Sequence, residues 1–241
     1  MPAVAESRTV VAGVTQTNTT ITAPAGIVDG NVLIALIHTG SDPVRAITPP
    51  AGWTAITNFP LNMISHSGDP YIVRQHAYYK VASGESGNYT FNHSSAHVEA
   101  YLSRWSGVDT ADIFNVLNVY TSTDPSANIG GTATAPTITP TVDGSGIIWW
   151  GNCWDGFGNT SPPTGTTPTF TERANDTSGV FYVADGVLTT AGATGAKSVT
   201  TAQPSNRPWL AGMICLKAAA AAAGGHIPFR RSRRRSPIWR M

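Results

Sequence analysis

The sequence predicts an all-β protein: an antiparallel, jelly-roll-like β-sandwich with an extended basic C-terminal tail. Short runs of β-branched and aromatic residues recur along the 241-residue chain, and turn-forming residues separate them. Only 12% of the residues are charged, about half the share of an ordinary soluble domain. No segment before the tail has the spacing of apolar residues that an amphipathic helix requires. These features favour short strands joined by tight turns.

The first half of the chain predicts an antiparallel meander. Its predicted strands are residues 10–14, 19–22, 31–38, 71–81, 88–91 and 97–105. Residues 31–38 are apolar at odd and even positions alike, which predicts a central strand covered on both faces. Residues 71–81 alternate, with Val73 and Tyr79 on one face and His76 on the other.

The second half of the chain supplies the remaining strands. They are predicted at residues 147–154, 170–172, 180–184, 198–201 and 209–216. Residues 121–146 are rich in Thr, Pro and Gly and are predicted to cross between the sheets. This number of strands at this spacing indicates a sandwich, because no repeat of fixed period is present.

The tryptophans of residues 147–154 allow two interpretations. Exposed tryptophans can stack on the faces of sugars, which suggests a carbohydrate-binding surface. However, Trp150 and Trp154 share strand parity with Ile148, whereas Trp149 shares it with Ile147. Tryptophans that alternate sides among aliphatic neighbours favour a core strand covered on both faces.

Cys153 and Cys215 are the two cysteines, and both lie in apolar, strand-like runs. They have no zinc-type spacing, and a body of this size folds without a disulfide. The sequence therefore predicts two buried free thiols, with a disulfide as the alternative.

One group of residues approaches a metal-binding spacing. His93 and His97 are four residues apart and Glu99 follows, which on a helix would place both imidazoles on one face. Ser94 and Ser95 instead predict a turn between strands, so a surface hairpin is favoured over a metal site.

Catalytic signatures are missing from the sequence. No G-x-S-x-G, H-E-x-x-H, phosphate-binding loop or G-x-G-x-x-G occurs, and the scattered aspartates lie in turn-like segments. The prediction is a protein that is not an enzyme and has no metal and no cofactor.

The start of the sequence and its hydropathy predict where the protein is made. Met1 is followed by Pro-Ala-Val-Ala-Glu, without the basic and apolar regions of a secretory signal. No apolar run reaches the roughly 18 residues of a membrane span. We therefore expect synthesis and assembly in a cytoplasm, without a membrane partner.

The C-terminal segment differs in composition from the rest of the chain. The sequence divides into a body of residues 1–217, an Ala/Gly linker of residues 218–225 and an Arg-rich tail of residues 226–241. Six of the fifteen basic residues lie in the tail, and all fourteen acidic residues precede it, so the body is formally −5 and the tail +6.

Arginine alone would suit a nucleic acid, but apolar anchors among the arginines favour docking on a protein, with nucleic acid as the less favoured partner. The predicted docking residues are Phe229, Arg230, Arg231, Arg233, Arg234, Arg235, Ile238, Trp239 and Arg240.

A series of short landmarks in fixed order runs through residues 10–217. They are APAGIVDGNVLI at 23–34, PAGWT at 50–54, YYKVA at 78–82, GNYTF at 87–91, RWSGVD at 104–109, TAGATG at 190–195 and ICLK at 214–217. In this order the body resembles a family of β-sandwich proteins that is common in the structural gene clusters of bacteriophages and occasional in bacterial surface proteins. The tail lies outside the resemblance.

The resemblance implies a non-enzymatic structural protein of a bacteriophage virion, assembled in the cytoplasm of the bacterial host. We expect it to decorate or join head or tail components, with other virion proteins as partners and as a homo-oligomer. The resemblance does not give its position in the virion, and the residues of the basic tail alone predict that the tail anchors it. The alternative is a receptor-binding or carbohydrate-binding module that grips a host surface glycan through loops such as residues 152–164.

Overall fold

In the computed structural model the described part of the chain forms thirteen strands. The structure describes residues 1–41, 45–63, 72–121, 131–153, 157–158, 161–165, 167–175, 181–200 and 208–221, with the backbone alone for 118–121. The strands are β1 (Val4–Ile21), β2 (Val32–Ser41), β3 (Thr54–Ala55), β4 (Leu61–Asn62), β5 (Ile72–Val81), β6 (Tyr89–Ser106), β7 (Phe114–Thr121), β8 (Thr132–Ala135), β9 (Ser145–Cys153), β10 (Thr171–Asn175), β11 (Phe181–Leu188), β12 (Lys197–Thr200) and β13 (Trp209–Leu216). In these ranges no helix is long and apolar enough to cross a membrane.

The strands form two large sheets and one small one. The first sheet has the order β1-β6-β2-β5-β3, with β4 also paired to β5, and the second has the order β10-β11-β9-β13-β7. Strands β8 and β12 form a separate pair. Every pairing is antiparallel. The predicted all-β class is therefore confirmed.

The main core lies between the two large sheets. Strand β2 contributes Ile34 and Leu36 to it, and β9 contributes Ile148 and Trp150 from the opposite sheet. The alternate residues of β2, such as Leu33, are also buried, but in a separate cluster on the outer face. The predicted central strand covered on both faces is therefore confirmed.

A folded-over ribbon, residues 14–21 of β1 paired with residues 89–96 of β6, covers the outer face of the first sheet. Phe91 of the ribbon packs on Tyr78 of β5, with 5.5 Å between ring centroids. Trp53 closes the cluster, 5.4 Å from the Phe91 ring in an edge-on arrangement. The ribbon thus buries aromatic rings that an open sheet would expose.

Strands β1 and β6 are longer than the sequence predicts. Each was expected as two strands with a break, and the turn predicted at Ser94 and Ser95 is wrong, because both residues lie inside β6. The register of the β1–β6 pair shifts between Val11 and Val14. Such bulges bend a strand and increase its twist, so the pair reverses over the sheet without a turn.

Strands β7 and β8 occupy parts of the chain where no strand was predicted. The β7–β13 register shifts beside Leu216, so Phe114 and Leu117 of β7 both pack against the core between the sheets. This shift breaks the two-residue period that identifies a strand. Strand β8 lies in the polar stretch expected to be a crossing.

The small β8–β12 sheet belongs to the cluster on the outer face of the second sheet. Trp149 and Tyr182 are buried in that cluster, with 5.6 Å between ring centroids. The indole Nε1 of Trp149 donates to the carbonyl oxygen of Lys197 at 3.0 Å. Both sheets are therefore covered on both faces.

The two cysteines are buried free thiols in the structure. Cys153 pairs in register with Trp209 and Cys215 with Ile147, so the thiols are not opposite each other on β9 and β13. Burial raises the pKa of Cys215 to about 11, which keeps that thiol protonated at neutral pH.

Candidate functional site

The nine predicted docking residues all lie in residues 226–241, outside the described part of the chain. The structure describes the chain that precedes the tail as far as residue 221, and the surfaces of the body. We describe two sites on the body, which we call the exit junction and the edge cleft. The exit junction consists of residues 1–3, 107–113 and 217–221, at one end of the sandwich.

The first half of the exit junction is an ion-pair cluster on Lys217. Its ammonium nitrogen lies 2.8 Å from an oxygen of Asp112 and 3.2 Å from one of Asp109. The hydrogen bond from Lys217 lowers the pKa of the Asp109 carboxyl, and the two carboxylates raise the pKa of Lys217. The Lys217 amide donates to the carbonyl oxygen of Ile113 at 2.8 Å. The chain is therefore fixed directly after β13.

The second half of the exit junction joins the two ends of the described chain. Ala218 forms a bridge with Val108, and the Ala219 amide donates to the carbonyl oxygen of Gly107 at 2.8 Å. The amino group of Met1 donates to the carbonyl oxygen of Ala219 at 3.0 Å. Hydrogen bonds thus hold the chain to the body through two residues of the segment predicted as a linker, beside Met1.

Gly107 gives a test of this junction. Its φ is +69°, and a Cβ there would lie 2.1 Å from the carbonyl oxygen of Pro2. Gly107→Ala should cost about 1–3 kcal/mol from overpacking, on top of roughly 1 kcal/mol for the left-handed backbone. Gly84 has φ +63° with no atom within 4 Å of such a Cβ, so Gly84→Ala is the matched control that carries the backbone cost alone. Equal urea midpoints for the two variants would contradict the contact with Pro2.

The edge cleft lies at the opposite end of the sandwich. It opens between β1, an edge of the first sheet, and strands β10 and β11 of the second, with a volume of about 230 Å³. Its lining is Val10, Val11, Ala12, Glu99, Ala174, Asn175 and Phe181. Most of this lining is apolar, and among the described residues that form it Glu99 carries the one charged group.

Behind the edge cleft, a row of polar side chains crosses the first sheet. In the strand register Gln75 of β5 and Glu99 of β6 flank His38 of β2, and all three residues are buried. Nδ1 of His38 lies 2.8 Å from Nδ2 of Asn152 on β9 of the opposite sheet. Burial lowers the pKa of His38 to about 3, so the imidazole is neutral and accepts this hydrogen bond. The polar row therefore connects the two sheets.

The bulge in β1 brings its backbone against Glu99. A Cβ on Gly13 would lie 2.9 Å from Oε1 of Glu99 and 2.7 Å from Nε2 of His97. That imidazole nitrogen is itself 3.5 Å from Oε1 of Glu99. A side chain at position 13 would therefore displace His97 and Glu99, of which Glu99 lines the cleft.

The histidine pair that suggested a metal site does not converge on one point. His93 lies in the folded-over ribbon, where its Nε2 is 2.8 Å from the hydroxyl oxygen of Thr19 and its Nδ1 is 2.8 Å from the carbonyl oxygen of Ser94. His97 instead faces Glu99. Among the residues that the structure describes, no group of three or more His, Cys, Asp or Glu side chains could hold a metal ion.

The tryptophans of β9 lie where their alternation predicts. Trp150 is buried between the two large sheets and Trp149 on the outer face of the second, both with 0% exposure. Trp154 lies outside the described residues. Core packing is therefore confirmed for the two described tryptophans, and neither can stack on a sugar.

The edge cleft and the polar row were not predicted. The sequence does contain a signal for the polar row. His38 follows an apolar strand and shares the face of Ile34 and Leu36, where a buried polar side chain needs a hydrogen-bond partner. Glu99 carries a similar signal in β6, but it was assigned to a surface hairpin. The chain itself matches no family model, no curated protein and no solved structure.

Proposed function

We propose that this protein is a non-enzymatic structural component of a bacteriophage virion. It decorates or joins head or tail components, and its basic C-terminal peptide anchors it to a neighbouring protein. The landmarks through residues 10–217 and the low charge content support the virion role. The proposal for the anchor rests on the exit junction.

The exit junction carries this proposal because it gives the tail a fixed origin. Hydrogen bonds and ion pairs hold residues 217–219 to the body beside Met1, so the segment that precedes the tail has a fixed position there. The body is formally −5 and the tail +6. A cationic peptide with apolar anchors on a rigid, oppositely charged body is suited to reach an acidic surface on a partner.

A glycan-binding function has less support. The described tryptophans of β9 are buried, so they form no exposed aromatic platform. The edge cleft, about 230 Å³, is below the range of about 300–1,000 Å³ typical of small-molecule sites, and the larger hollow beside Met1, about 680 Å³, has no aromatic side chain among its described lining residues. A structural role follows more directly.

Deleting residues 226–241 tests the anchor. We expect a body with an unchanged melting temperature that no longer enters particles, because the deletion removes six positive charges and the apolar anchors but no described contact. Mass spectrometry and cryo-EM of purified virions measure incorporation. Normal incorporation of the truncated protein would overturn the anchoring role, and absence of the full-length protein from particles would overturn the virion role.

A matched variant separates charge from shape. Replacing Arg230, Arg231, Arg233, Arg234 and Arg235 by lysine keeps the charge but removes the planar, bidentate donors. If the tail docks on carboxylates, incorporation of this variant should fall well below that of the full-length protein. Unchanged incorporation would show that net charge alone attaches the tail.

A further inference from the structure

The hollow beside Met1 is a mainly apolar surface next to the exit junction. Its volume is about 680 Å³, and its apolar lining among the described residues includes Pro2, Val142, Val187, Ala220 and Ala221. Met1, which also lines it, is 77% exposed. A concave, mainly apolar surface of this size is typical of binding sites.

Backbone hydrogen bonds fix the walls of this hollow. The Ala3 amide donates to the carbonyl oxygen of Gly144 at 2.8 Å, and the Gly144 amide donates to the carbonyl oxygen of Leu188 at 2.9 Å. Gly144 has φ +74°, and a Cβ there would lie 3.0 Å from Cα of Pro2. The first residues of the chain therefore lie directly against this turn, and the hollow is formed before anything binds in it.

The segment that follows Ala221 begins beside the hollow, because Ala221 is part of its lining. Residues 222–226 are Ala-Ala-Gly-Gly-His, and Ile227, Pro228 and Phe229 come next. A flexible chain of eight residues spans about 14–17 Å on average and about 26–29 Å when fully extended. The two glycines of the linker also allow the chain to reverse. Phe229 can therefore reach the hollow without stretching the linker.

We propose that Ile227 and Phe229 dock in the hollow beside Met1 of their own chain. They are the first large apolar residues after the alanine and glycine linker. The hollow offers them apolar walls next to the point where the linker starts. With Phe229 docked, the free part of the tail begins at Arg230, so the arginines start from a defined place on the body. The proposal goes beyond the proposed function and does not depend on the virion role.

The charges at the hollow are compatible with this occupant. Asp143 lines the hollow with an exposed carboxylate, and its Oδ1 accepts a hydrogen bond from the Ala191 amide at 2.7 Å. Arg230 directly follows Phe229 and has the opposite charge. The amino group of Met1 is positive, but it donates to the carbonyl oxygen of Ala219. An arginine beside the docked ring therefore has an acidic side chain within the lining to approach.

The short linker favours the same chain over a second copy. A short flexible tether holds the segment at an effective concentration of about 1 mM. At micromolar protein, the same segment of another copy is about a thousandfold less available. A contact within one chain therefore forms first, although the two copies carry the same hollow and the same tail.

The docked and free forms of the tail are expected to exchange. Ordering the linker opposes the apolar contact, so we expect a preference of about three to one for the docked form. This ratio stabilises the body by about 0.8 kcal/mol, which shifts the melting temperature by only about 2 °C. Deleting the tail therefore hardly changes the melting temperature, and the docking has to be measured directly.

Cysteine trapping in the full-length chain measures the docking. Thr189→Cys places a thiol at an exposed residue of the hollow, and His226→Cys places one beside the two docking residues. Under mild oxidation at micromolar protein, we expect a disulfide within one chain, which peptide mass spectrometry identifies. Its rate of formation should not depend on protein concentration. The native thiols are buried.

Two further variants in this background separate docking from random collision. Phe229→Ala removes the docked ring but keeps the tether and every arginine. A tenfold weaker preference lowers the docked share from about three-quarters to about one-quarter, so trapping should be about threefold slower. Trp239→Ala is the matched control, because it removes an aromatic ring from the part of the tail that stays free. Its trapping rate should equal that of the parent.

Each other outcome would overturn the proposal. Equal rates for the Phe229→Ala and Trp239→Ala variants would show that the tail meets the hollow only by collision. No disulfide, although both thiols react with a maleimide, would show that the tail does not reach the hollow. Faster formation of a mixed dimer from the two single-cysteine proteins would make a second copy the occupant. Purified protein suffices for these measurements, so their failure leaves the virion role standing, and absence from particles leaves the docking standing.

Discussion

Trp150→Ala should lower the free energy of unfolding by about 3–5 kcal/mol, because it opens a cavity between the two large sheets. The indole is fully buried among residues of both sheets, and its ring centroid lies 5.4 Å from that of Phe59. This loss is a large part of the roughly 5–15 kcal/mol that holds a domain together. Urea unfolding followed by circular dichroism measures it. A loss below about 1 kcal/mol would show that the two sheets do not share this core.

Phenylalanine variants separate the volume of the ring from its polar atom. Nε1 of Trp150 has no hydrogen-bond partner within the described chain. Trp150→Phe therefore removes a buried donor whose hydrogen bond to water is lost on folding and is not replaced. Nε1 of Trp105, in the same core, donates to the hydroxyl oxygen of Ser103 at 2.8 Å. Trp105→Phe should therefore destabilise the protein by about 1 kcal/mol more than Trp150→Phe. The reverse order would contradict the hydrogen bonding of the two indoles.

The sequence predicts this core well because it is built from short-range patterns. Strand β2 is apolar at every position up to His38, and β9 alternates tryptophans between its two faces. Both patterns follow from residue order and the two-residue period of a strand. These patterns do not depend on which strands lie beside β2 and β9. The structure confirms both predictions.

The bend of β1 and β6 could not be predicted in the same way. Bulges between Val11 and Val14 redirect the pair, and their position depends on contacts between residues about 85 apart in the chain. Ser94 and Ser95 are residue types common in turns, but they lie inside β6. The ribbon that contains them packs on the outer face of the first sheet, and these contacts keep it extended. Local propensity is weak against such tertiary contacts.

The candidate sites also differ in whether they depend on short-range patterns or on contacts between distant residues. The tail is visible in the sequence as a run of arginines, whereas the exit junction requires Met1 and Ala219 to meet across 218 residues. The edge cleft likewise joins β1, β6, β10 and β11 from distant parts of the chain. Composition therefore predicts the docking peptide, and only the fold shows how the chain is held as far as Ala219.

Acidification from pH 7 to pH 4.5 should reduce the stability of the protein by roughly 5 kcal/mol, because over this range the unfolded chain binds protons at two histidines that stay neutral in the folded protein. Burial, with the charges of neighbouring histidines, lowers the pKa of His38 to about 3. Burial, with the charges of Arg74 and His93, lowers the pKa of His76 to about 3. Both side chains are almost completely buried, between the sheets and under the folded-over ribbon respectively.

The direction follows from proton uptake by the two states. Below the unfolded pKa of 6.5 the unfolded chain binds protons at both histidines, whereas the folded chain stays neutral there until about pH 3. Stability is therefore fully present above pH 6.5 and is lost as the pH falls, by up to about 1.4 kcal/mol per pH unit for each histidine. Asp185 cannot cause this loss, because burial raises its pKa and its protonation favours the folded state.

Urea midpoints measured at half-unit steps between pH 7.5 and 4.5 test the effect, and the slope is the quantity to compare. The double variant His38→Gln, His76→Gln is expected to be less stable at pH 7, but its stability should change little over this range. The matched control His93→Gln changes a half-buried histidine of the ribbon and should keep most of the slope. A double variant as steep as the unmodified protein would show that other groups take up the protons. A flat curve for the unmodified protein would mean that water reaches both imidazoles, and the closed packing at the cleft end of the sandwich would then be wrong.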